Sequence, residues 1–307
     1  MRVALICNTV SAFPLLDWLS SQGLLAGVGV KKQKSDFFSD LSVVCSQRRI
    51  TPQVFEKEQL TSQLSNWVQA IRADIVLVLG FPYKIPKKVL AAPRLGIYNI
   101  HFGKLPKYSG SFPVFWQIKN QEKEGVLTIH KMDENFDSGP IAFEIPFEIK
   151  SIHTYGIVEA NYSYVTINAV FMLLDNILKG TLNLKNQSKQ VQKLLPKPTI
   201  KDLIIDWKTM NAHQIVALIK ACNPWNRGAI ARINGVDVKI IEAEANPSEI
   251  GKPAQVFNLH QNGMEVACIN QTALNIKIMY SSFGYLCGES LTTFGIKNGD
   301  VFENIVI

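Results

Sequence analysis

The stretch DIVLVLG, residues 74–80, is an unbroken apolar run bounded by an aspartate and a glycine. A run without polar alternation is typical of a strand that is buried on both faces, as in a parallel sheet. LGIYNIH (95–101) is a second run of this kind, and RVALIC (2–7) and LLAGVGV (24–30) are shorter ones upstream. The first hundred residues therefore predict four buried strands.

Helical segments separate these strands. AFPLLDWLSSQG (12–23) and QLTSQLSNWVQAIRA (59–73) repeat apolar residues three and four positions apart, which is the spacing of an amphipathic helix. Strands that alternate with helices of this length predict an α/β fold with a mostly parallel, Rossmann-like sheet and right-handed crossovers. Farther along, VLTIHKMD (126–133) and PIAFEIPFEI (140–149) predict a strand pair, and a long helix is predicted over about 154–178.

The composition changes after this helix. Residues 179–202 are rich in Lys and Gln, contain two prolines and have little periodicity, as is typical of a linker. Residues 228–307 contain short strand-like runs about ten residues apart, with Asn-Gly turns at 234–235 and 262–263, a pattern typical of a small β-barrel. We predict a catalytic domain over 1–185, a linker over 186–205 and a C-terminal OB-like β-barrel domain over 206–307.

The composition also bears on the class of protein. No stretch approaches about 20 uninterrupted apolar residues, so no membrane span is predicted. The five cysteines are scattered and form no CxxC pair, which argues against a disulfide framework or a zinc site. We therefore expect a cytoplasmic protein without a bound metal. The formal charge of +7 favours anionic partners such as nucleic acid, although many proteins with this surplus bind none.

Polar side chains stand at the end of the fourth predicted strand, where open parallel sheets bind their ligands. Asn99 and His101 are one residue apart, so they share a face of the strand, and Asp137 follows in a turn between the next two strands. An amide donor, an imidazole and a carboxylate suit acyl transfer to an amine, which needs a proton acceptor and donors for the oxyanion. The chain has no GxSxG elbow, which favours direct transfer over an acyl-enzyme.

These spacings alone also fit an ordinary loop-capping pair and an ordinary Asp-Ser-Gly turn. The remaining histidines have no metal-binding spacing, and none of them is given a role: His130, His153, His213 and His260.

Two longer stretches carry a family resemblance. YNIHFGKLPKYSGSFPVFW (98–116), followed by TIHKMDENFDSGPI (128–141), resembles the folate-dependent formyltransferases, a family typified by methionyl-tRNA formyltransferase and the N-formyltransferases of nucleotide-linked amino sugars. The matching elements occur in the family's order: Asn99, His101, Leu105-Pro106, Met132-Asp133 and Asp137-Ser138-Gly139. Three further segments resemble the family's C-terminal barrel: IIDW (204–207), CNPWNRGAIARING (222–235) and GIKNGDVF (295–302).

The resemblance implies 10-formyltetrahydrofolate as the formyl donor and a primary amine as the acceptor. It implies that Asn99 and His101 flank the formyl carbon and hold its oxyanion, while Asp137 orients His101 or deprotonates the amine through it. It also implies that the pterin lies against two loops, 80–86 and 133–137. The implied donor-binding residues are Gly80, Phe81, Tyr83, Ile85, Ile100, Asp133 and Asn135.

The chain departs from the family pattern at several positions. Gly103 and Lys104 replace a serine and a leucine, and Ser109 replaces the arginine of an Arg-Gly pair. CNTVSAF (7–13) replaces the Gly-Thr-Pro motif of the tRNA enzymes, and the loop KKQKSDFFSD (31–40) stands in place of their basic, glycine-rich insertion.

Because that insertion grips the tRNA acceptor stem, its replacement favours a smaller acceptor, such as a nucleotide-linked amino sugar or an aminoacyl group on a carrier protein. Methionyl-tRNA is the alternative acceptor, supported by the full barrel and the basic charge. A third hypothesis is a member that binds folate or RNA without catalysis.

Overall fold

The computed structural model describes residues 1–187, 193–248 and 251–305. The chain separates into two compact units, neither of them contiguous in sequence. The first unit comprises Met1–Ser111, Glu124–Glu148 and Glu159–Leu195, and the second comprises Phe112–Lys123, Ile149–Val158 and Pro196–Ile307. The domain boundaries drawn from the sequence stay a prediction, and the predicted linker includes 188–192, which lie outside the described residues.

A seven-stranded sheet forms the centre of the first unit. Its strands are β1 (Val3–Cys7), β2 (Leu25–Lys31), β3 (Gln53–Phe55), β4 (Ile75–Leu79), β5 (Ile97–His101), β6 (Glu124–Lys131) and β7 (Ile141–Glu148). They lie in the order β3-β2-β1-β4-β5-β6-β7. The first five strands in this order run parallel to one another, β6 runs antiparallel to β5, and β7 runs antiparallel to β6. The predicted Rossmann-like sheet is therefore confirmed. Successive strands are added on one side of β1 up to β3 and on its other side from β4 onwards, so the strand order switches between β1 and β4.

Nine α-helices are present in the described part of the chain. They are α1 (Phe13–Ser21), α2 (Asp36–Ser46), α3 (Leu60–Ala70), α4 (Lys87–Leu90), α5 (Pro113–Lys119), α6 (Tyr155–Lys179), α7 (Ile200–Leu203), α8 (Ala212–Ala221) and α9 (Ser290–Thr293). The interpretation of 31–40 as a loop was wrong in its second half. Ser35 accepts a hydrogen bond from the Phe38 backbone N–H and thereby begins α2.

An antiparallel sheet forms most of the second unit. Its strands are β8 (Ala229–Ile233), β9 (Val236–Pro247), β10 (Val256–His260), β11 (Gly263–Cys268), β12 (Thr272–Ser281), β13 (Gly284–Cys287) and β14 (Phe302–Glu303). The order is β10-β11-β12-β9-β8-β14, and a bridge between Gln255 and Val301 links the two ends of this order. The sheet thus curls into a half-barrel, in agreement with the barrel that the sequence predicts. The last predicted strand is short, and 306–307 lie outside the described residues.

Helix α6 is the longest helix in the described residues. By length and composition it could cross a membrane, and 44% of its most apolar 18-residue window is buried in the protein; long core helices of soluble proteins share this property. Tyr162 and Leu173 are among its fully buried residues. The face that carries them therefore packs into the protein core.

Candidate active site

Strand pairing brings the candidate polar residues together. Asn99 and His101 lie at the carboxyl end of β5, and the neighbouring β6 places His130 opposite Asn99 and Thr128 opposite His101. The Thr128 hydroxyl donates to the Gly103 carbonyl at 2.8 Å and so anchors the chain just after β5. Because side chains alternate along a strand, Ile100 is directed to the other face, where it is buried.

Asp137 occupies a left-handed position, with φ of 53°, in the turn between β6 and β7. Its Oδ1 accepts a hydrogen bond from Asn99 Nδ2 at 3.2 Å, and its Oδ2 accepts one from the Gly110 backbone N–H at 2.8 Å. The Gln187 side-chain amide donates to the carbonyls of both Asp137 and Gly139 at 2.8 Å. Two parts of the chain therefore bind the Asp137 carboxylate, and a third holds the backbone of its turn.

The imidazole of His101 is fixed through one of its two nitrogens. Its Nε2 lies 2.7 Å from the Tyr108 carbonyl oxygen. A carbonyl oxygen can only accept, so Nε2 carries the hydrogen. In the neutral ring Nδ1 then holds the lone pair, and it lies 3.7 Å from Asp137 Oδ1. A proton gained by His101 at Nδ1 would therefore face a carboxylate.

The charge state of Asp137 follows from its surroundings. Burial by itself would raise the pKa of this carboxyl. With both imidazoles protonated, the charge of His101, the hydrogen bond that His130 then donates, the Gly110 N–H and the charge of His130 outweigh burial and lower the pKa of Asp137 to about 2. Asp137 is therefore a carboxylate at neutral pH and cannot itself donate a proton.

His130 is a member of this cluster that the sequence analysis missed. The ring is buried, and its Nε2 lies 3.1 Å from Asn99 Nδ2 and 3.5 Å from Asp137 Oδ1. The alternation in Thr-Ile-His showed that Thr128 and His130 share a face of their strand. It did not show which residues of β5 they oppose, so His130 received no role.

The two loops implied to bind the donor contact each other. Lys87 Nζ lies 2.5 Å from Glu134 Oε1, and Lys84 Nζ lies 5.3 Å from the centre of the Phe136 ring. In the second loop, Asp133 Oδ1 accepts hydrogen bonds from the Asn135 N–H at 3.0 Å and from the Ser138 hydroxyl at 2.6 Å.

Two side chains of the first loop face inward. Phe81 and Ile85 are buried in an apolar cluster that Tyr83 joins, and the rings of Phe81 and Tyr83 lie 5.2 Å apart. Gly80 has a φ of 70°, at the point where β4 leaves the sheet. The side chains of Phe81, Ile85 and Ile100 are thus part of the core, which leaves backbone groups as their means of contacting a ligand. The described residues contain no group of three or more His, Cys, Asp or Glu side chains able to hold a metal ion.

Two family models match this chain. One, described as formyl transferase, matches residues 26–168, and the other, described as the formyl transferase C-terminal domain, matches 199–282. The chain belongs to the formyltransferase family. It is an enzyme of the formyl-transferring class, as the resemblance of the Asn99–His101 and Asp137 segments implies.

Individual relatives differ in the acceptor that their names record. Methionyl-tRNA formyltransferase of Thermotoga neapolitana is 25% identical over 99% of this chain and 96% of its own length. WlaRD, a sugar 3N-formyltransferase solved with dTDP and 5-N-formyl-tetrahydrofolate, has a TM-score of 0.67 at 18% identity and covers 90% of this chain and 97% of its own. An N-formyltransferase from Helicobacter canadensis, solved with folinic acid and dTDP-3-aminofucose, has a TM-score of 0.66 at 20% identity, with coverages of 90% and 98%.

Proposed function

We propose that this formyltransferase moves the formyl group of 10-formyltetrahydrofolate directly to a primary amine of a small acceptor, a nucleotide-linked amino sugar. The observation that supports direct transfer is the buried cluster of Asn99, His101 and the ionised Asp137. This cluster offers a proton acceptor and an oxyanion donor, and it contains no serine or cysteine that would form a covalent acyl-enzyme.

In the proposed reaction, His101 is the proton acceptor. The free amine forms a bond to the formyl carbon, and the resulting nitrogen loses a proton to Nδ1 of His101. Asp137, 3.7 Å from Nδ1, stabilises the imidazolium. The same proton then passes to the departing folate nitrogen as its bond to the formyl carbon breaks. The products are an N-formyl amine and tetrahydrofolate, and His101 returns to the neutral state.

Asn99 is the proposed donor to the oxyanion. The distances among Asn99 Nδ2, His130 Nε2 and Asp137 Oδ1 are 3.1, 3.2 and 3.5 Å. They set an angle of about 70° at the Asn99 nitrogen, whereas the two N–H bonds of a planar amide diverge by about 120°. In this proposal one N–H, roughly 35° from the line to each acceptor, is shared between the two. The other points away from them and is available to the formyl oxygen.

His130 is accordingly a positioning residue in this proposal. With its Nε2 as an acceptor, it works with Asp137 to keep the amide nitrogen of Asn99, rather than the amide oxygen, on their side. Its Nδ1 lies 3.4 Å from the Lys131 carbonyl, the position expected for the nitrogen that carries the hydrogen. His130 does not contact the reacting atoms in this scheme.

The proposed donor site lies along the two contacting loops, 80–86 and 133–137. Lys84 of the first loop contacts Phe136 of the second, and Lys87, the residue after the first loop, pairs with Glu134. A pterin is flat and polar, so it suits exposed backbone groups of the kind found at Gly80 and around Asp133. The folate compounds in the solved relatives support this choice of donor.

Two observations bear on the acceptor. The solved relatives that carry nucleotide sugars, together with the replacement of the basic insertion by the start of α2, support a small amine. The match to a methionyl-tRNA formyltransferase over almost the whole chain, with the net charge of +7, supports methionyl-tRNA as the second candidate.

Five free thiols support the proposed cytoplasmic location.

A direct assay separates these candidates. The full chain is incubated with 10-formyltetrahydrofolate and, in separate reactions, amino-sugar nucleotides, methionyl-tRNA or an aminoacyl thioester, with release of tetrahydrofolate as the readout. We expect turnover with an amino-sugar nucleotide, and a kcat lowered by roughly 100- to 1,000-fold in Asn99→Ala. Turnover confined to methionyl-tRNA would replace the proposed acceptor by the second candidate. Failure with every amine would contradict the proposed function.

A further inference from the structure

A second polar cluster lies at the carboxyl end of β1, and the proposed mechanism does not use it. Thr9 and Ser11 follow this strand, and their side chains contact Glu159 of α6; these three residues are here called the β1 cluster. The Thr9 hydroxyl donates to Glu159 Oε1 at 3.4 Å, and the Ser11 hydroxyl also bonds to the carboxyl. Ser163, one turn along α6, donates to the Ser11 carbonyl at 2.6 Å and so fixes the helix against this segment.

Glu159 is half-buried, and its carboxyl has unused hydrogen-bonding capacity. Among the described residues, these two hydroxyl groups are the partners of the carboxyl, and no Lys, Arg or His side chain pairs with it. Burial raises the pKa of the carboxyl, and the bonds from Ser11 and Thr9 offset only part of that rise. A carboxylate accepts about four hydrogen bonds, so acceptor positions remain for a ligand that brings donors.

The register of the first sheet places the β1 cluster near the proposed reaction centre. Val78 of β4 pairs with Asn99 of β5, so Gly80, two residues later, is level with His101. A Cβ on Gly80 would lie 3.2 Å from Thr9 Cγ2, which shows that Thr9 borders the end of β4.

The distance between the two polar clusters follows from the strand order. β4 lies between β1 and β5, and neighbouring strands are about 4.8 Å apart, so the ends of β1 and β5 are about 10 Å apart. The crevice between them lies at the switch in strand order, where open α/β sheets bind ligands. A separation of this size, shortened by the side chains that extend from both strand ends, suits a single sugar ring.

We propose that Glu159 selects a carbohydrate as the acceptor, by accepting hydrogen bonds from the ring hydroxyl groups beside the amino-bearing carbon. This inference rests on the proposed function and adds a specificity-determining residue to it. A methionyl side chain has a thioether, which carries no donor, and would leave the carboxyl without a partner. A site built to bind a substrate hydroxyl rejects compounds that lack it for this reason.

Two other groups of a nucleotide-linked amino sugar suit Glu159 less well. A phosphate has the same sign of charge as the carboxylate and is repelled by it. The reacting amine has to lie at the formyl carbon as the free base, where its proton passes to His101 at the end of β5. Ring hydroxyl groups are uncharged donors and lie between these two parts of the acceptor.

Kinetics and titration calorimetry of the full chain with dTDP-3-aminofucose test this inference, because its amino-bearing carbon lies between two hydroxyl-bearing carbons. Glu159→Leu should raise the KM and the calorimetric Kd of this acceptor roughly 30-fold, with kcat and the KM of the donor unchanged. Glu159→Gln keeps one acceptor oxygen and should raise both constants about tenfold.

The matched control is Asp175→Leu. It removes a carboxylate from the same helix about 24 Å farther along, where Asp175 pairs with Lys179, and should leave both constants unchanged.

An analogue of dTDP-3-aminofucose in which hydrogen replaces both hydroxyl groups identifies the contact. The wild type should bind this analogue roughly 30-fold more weakly than the parent compound. Glu159→Leu should bind the two compounds with nearly equal Kd, because the group that distinguishes them is gone. A wild-type chain that binds both equally would overturn the inference.

Calorimetry separates this inference from the proposed function, because binding does not require formyl transfer. A wild-type chain that binds dTDP-3-aminofucose without formylating it would contradict the proposed reaction, and the variants would still decide the role of Glu159. A wild-type chain that does not bind this compound, or a Glu159→Leu variant with the wild-type Kd, would overturn the inference.

A purely structural role of Glu159 predicts a different result. Glu159→Leu would then lose kcat and donor binding together with acceptor binding, which would also overturn the inference. Circular dichroism shows whether this variant is folded. If it is not, Glu159→Gln takes its place, and a wild-type Kd in that variant would count against the proposal in the same way.

Discussion

His130 acts, in the proposed mechanism, only through Asn99 and Asp137. We predict that His130→Met lowers kcat about tenfold with little change in KM, because the methionine sulfur is only a weak acceptor for Asn99 Nδ2, which lies 3.1 Å from His130 Nε2. In a double-mutant cycle, His130→Met should have almost no further effect when added to Asn99→Ala. Steady-state kinetics of the wild type, the two single variants and the double variant provide the measurement. The acceptor is the one that the assay described above identifies.

Two variants show whether that effect is specific. His130→Gln supplies an amide oxygen as acceptor and should restore most of the lost kcat. His153→Met makes the same substitution outside the cluster and should leave kcat unchanged. Additive losses in the cycle, or equal losses for the Gln and Met variants at position 130, would show that His130 has a general structural role instead.

Asp137 is predicted to contribute both to turnover and to acid stability. Asp137→Asn should lower kcat by roughly 100-fold or more with near-normal donor binding, because the amide cannot stabilise the His101 imidazolium. The folded-state pKa of about 2 lies below the unfolded value near 3.9, so the carboxylate stabilises the fold above about pH 4. That contribution, roughly 2.5 kcal/mol, should be lost as the pH falls from 4 towards 2.

Acid unfolding monitored by circular dichroism tests the stability part. The difference in unfolding free energy between the wild type and Asp137→Asn should narrow between pH 4 and pH 2. A difference that stays constant over this range would contradict the lowered pKa of Asp137. Turnover of Asp137→Asn near the wild-type level would contradict the catalytic part.

At the scale of structural elements, the segment 109–111 joins the Asp137 carboxylate to the end of the first unit. Gly110 donates to Asp137 and forms a parallel bridge with Leu195. Its φ is 107°, and a Cβ there would collide with the Leu195 backbone. We predict that Gly110→Ala destabilises the fold by at least roughly 3 kcal/mol and abolishes turnover.

Gly180 provides the matched control for this prediction. Its φ of 66° is also positive, but a Cβ there meets nothing within 4 Å. Gly180→Ala should therefore cost about 1 kcal/mol, the price of the backbone conformation alone. Urea unfolding of both variants measures the difference. An equal loss of unfolding free energy in both variants would show that contact with Leu195 does not constrain Gly110.

At the scale of the whole molecule, the net charge of +7 bears on the choice of acceptor. We predict that tRNA binds only in the weak, non-specific range, with Kd of roughly 10⁻⁴–10⁻⁶ M at physiological salt. The reason is local: KKQKSDFFSDL (31–41) carries three lysines and two aspartates, and α2 takes up most of it. This segment supplies little net charge for the several phosphates that a specific tRNA complex must neutralise.

Filter binding with charged initiator tRNA at several salt concentrations tests the prediction. A specific complex would lose about 0.7–0.9 in log affinity per phosphate contact for each decade of salt. Tight binding with such a steep slope, together with formylation of the methionyl group, would make methionyl-tRNA the acceptor. Uncharged tRNA is the control for non-specific attraction.

The sequence by itself determined the elements that depend on local periodicity. The continuous apolar runs predicted β1, β2, β4 and β5, because a strand buried on both faces needs an apolar residue at every position. Alternation placed Asn99 and His101 on one face of β5. Short segments such as β3 and β13 were missed, since three or four residues carry too little periodicity to be recognised.

Only the tertiary structure decided which residues surround Asp137. The β5–β6 register set His130 opposite Asn99, and long-range contacts brought Gly110 and Gln187 to the same turn. Local periodicity contains neither kind of information, because a strand's register and a loop's destination depend on the free energy of packing the whole chain.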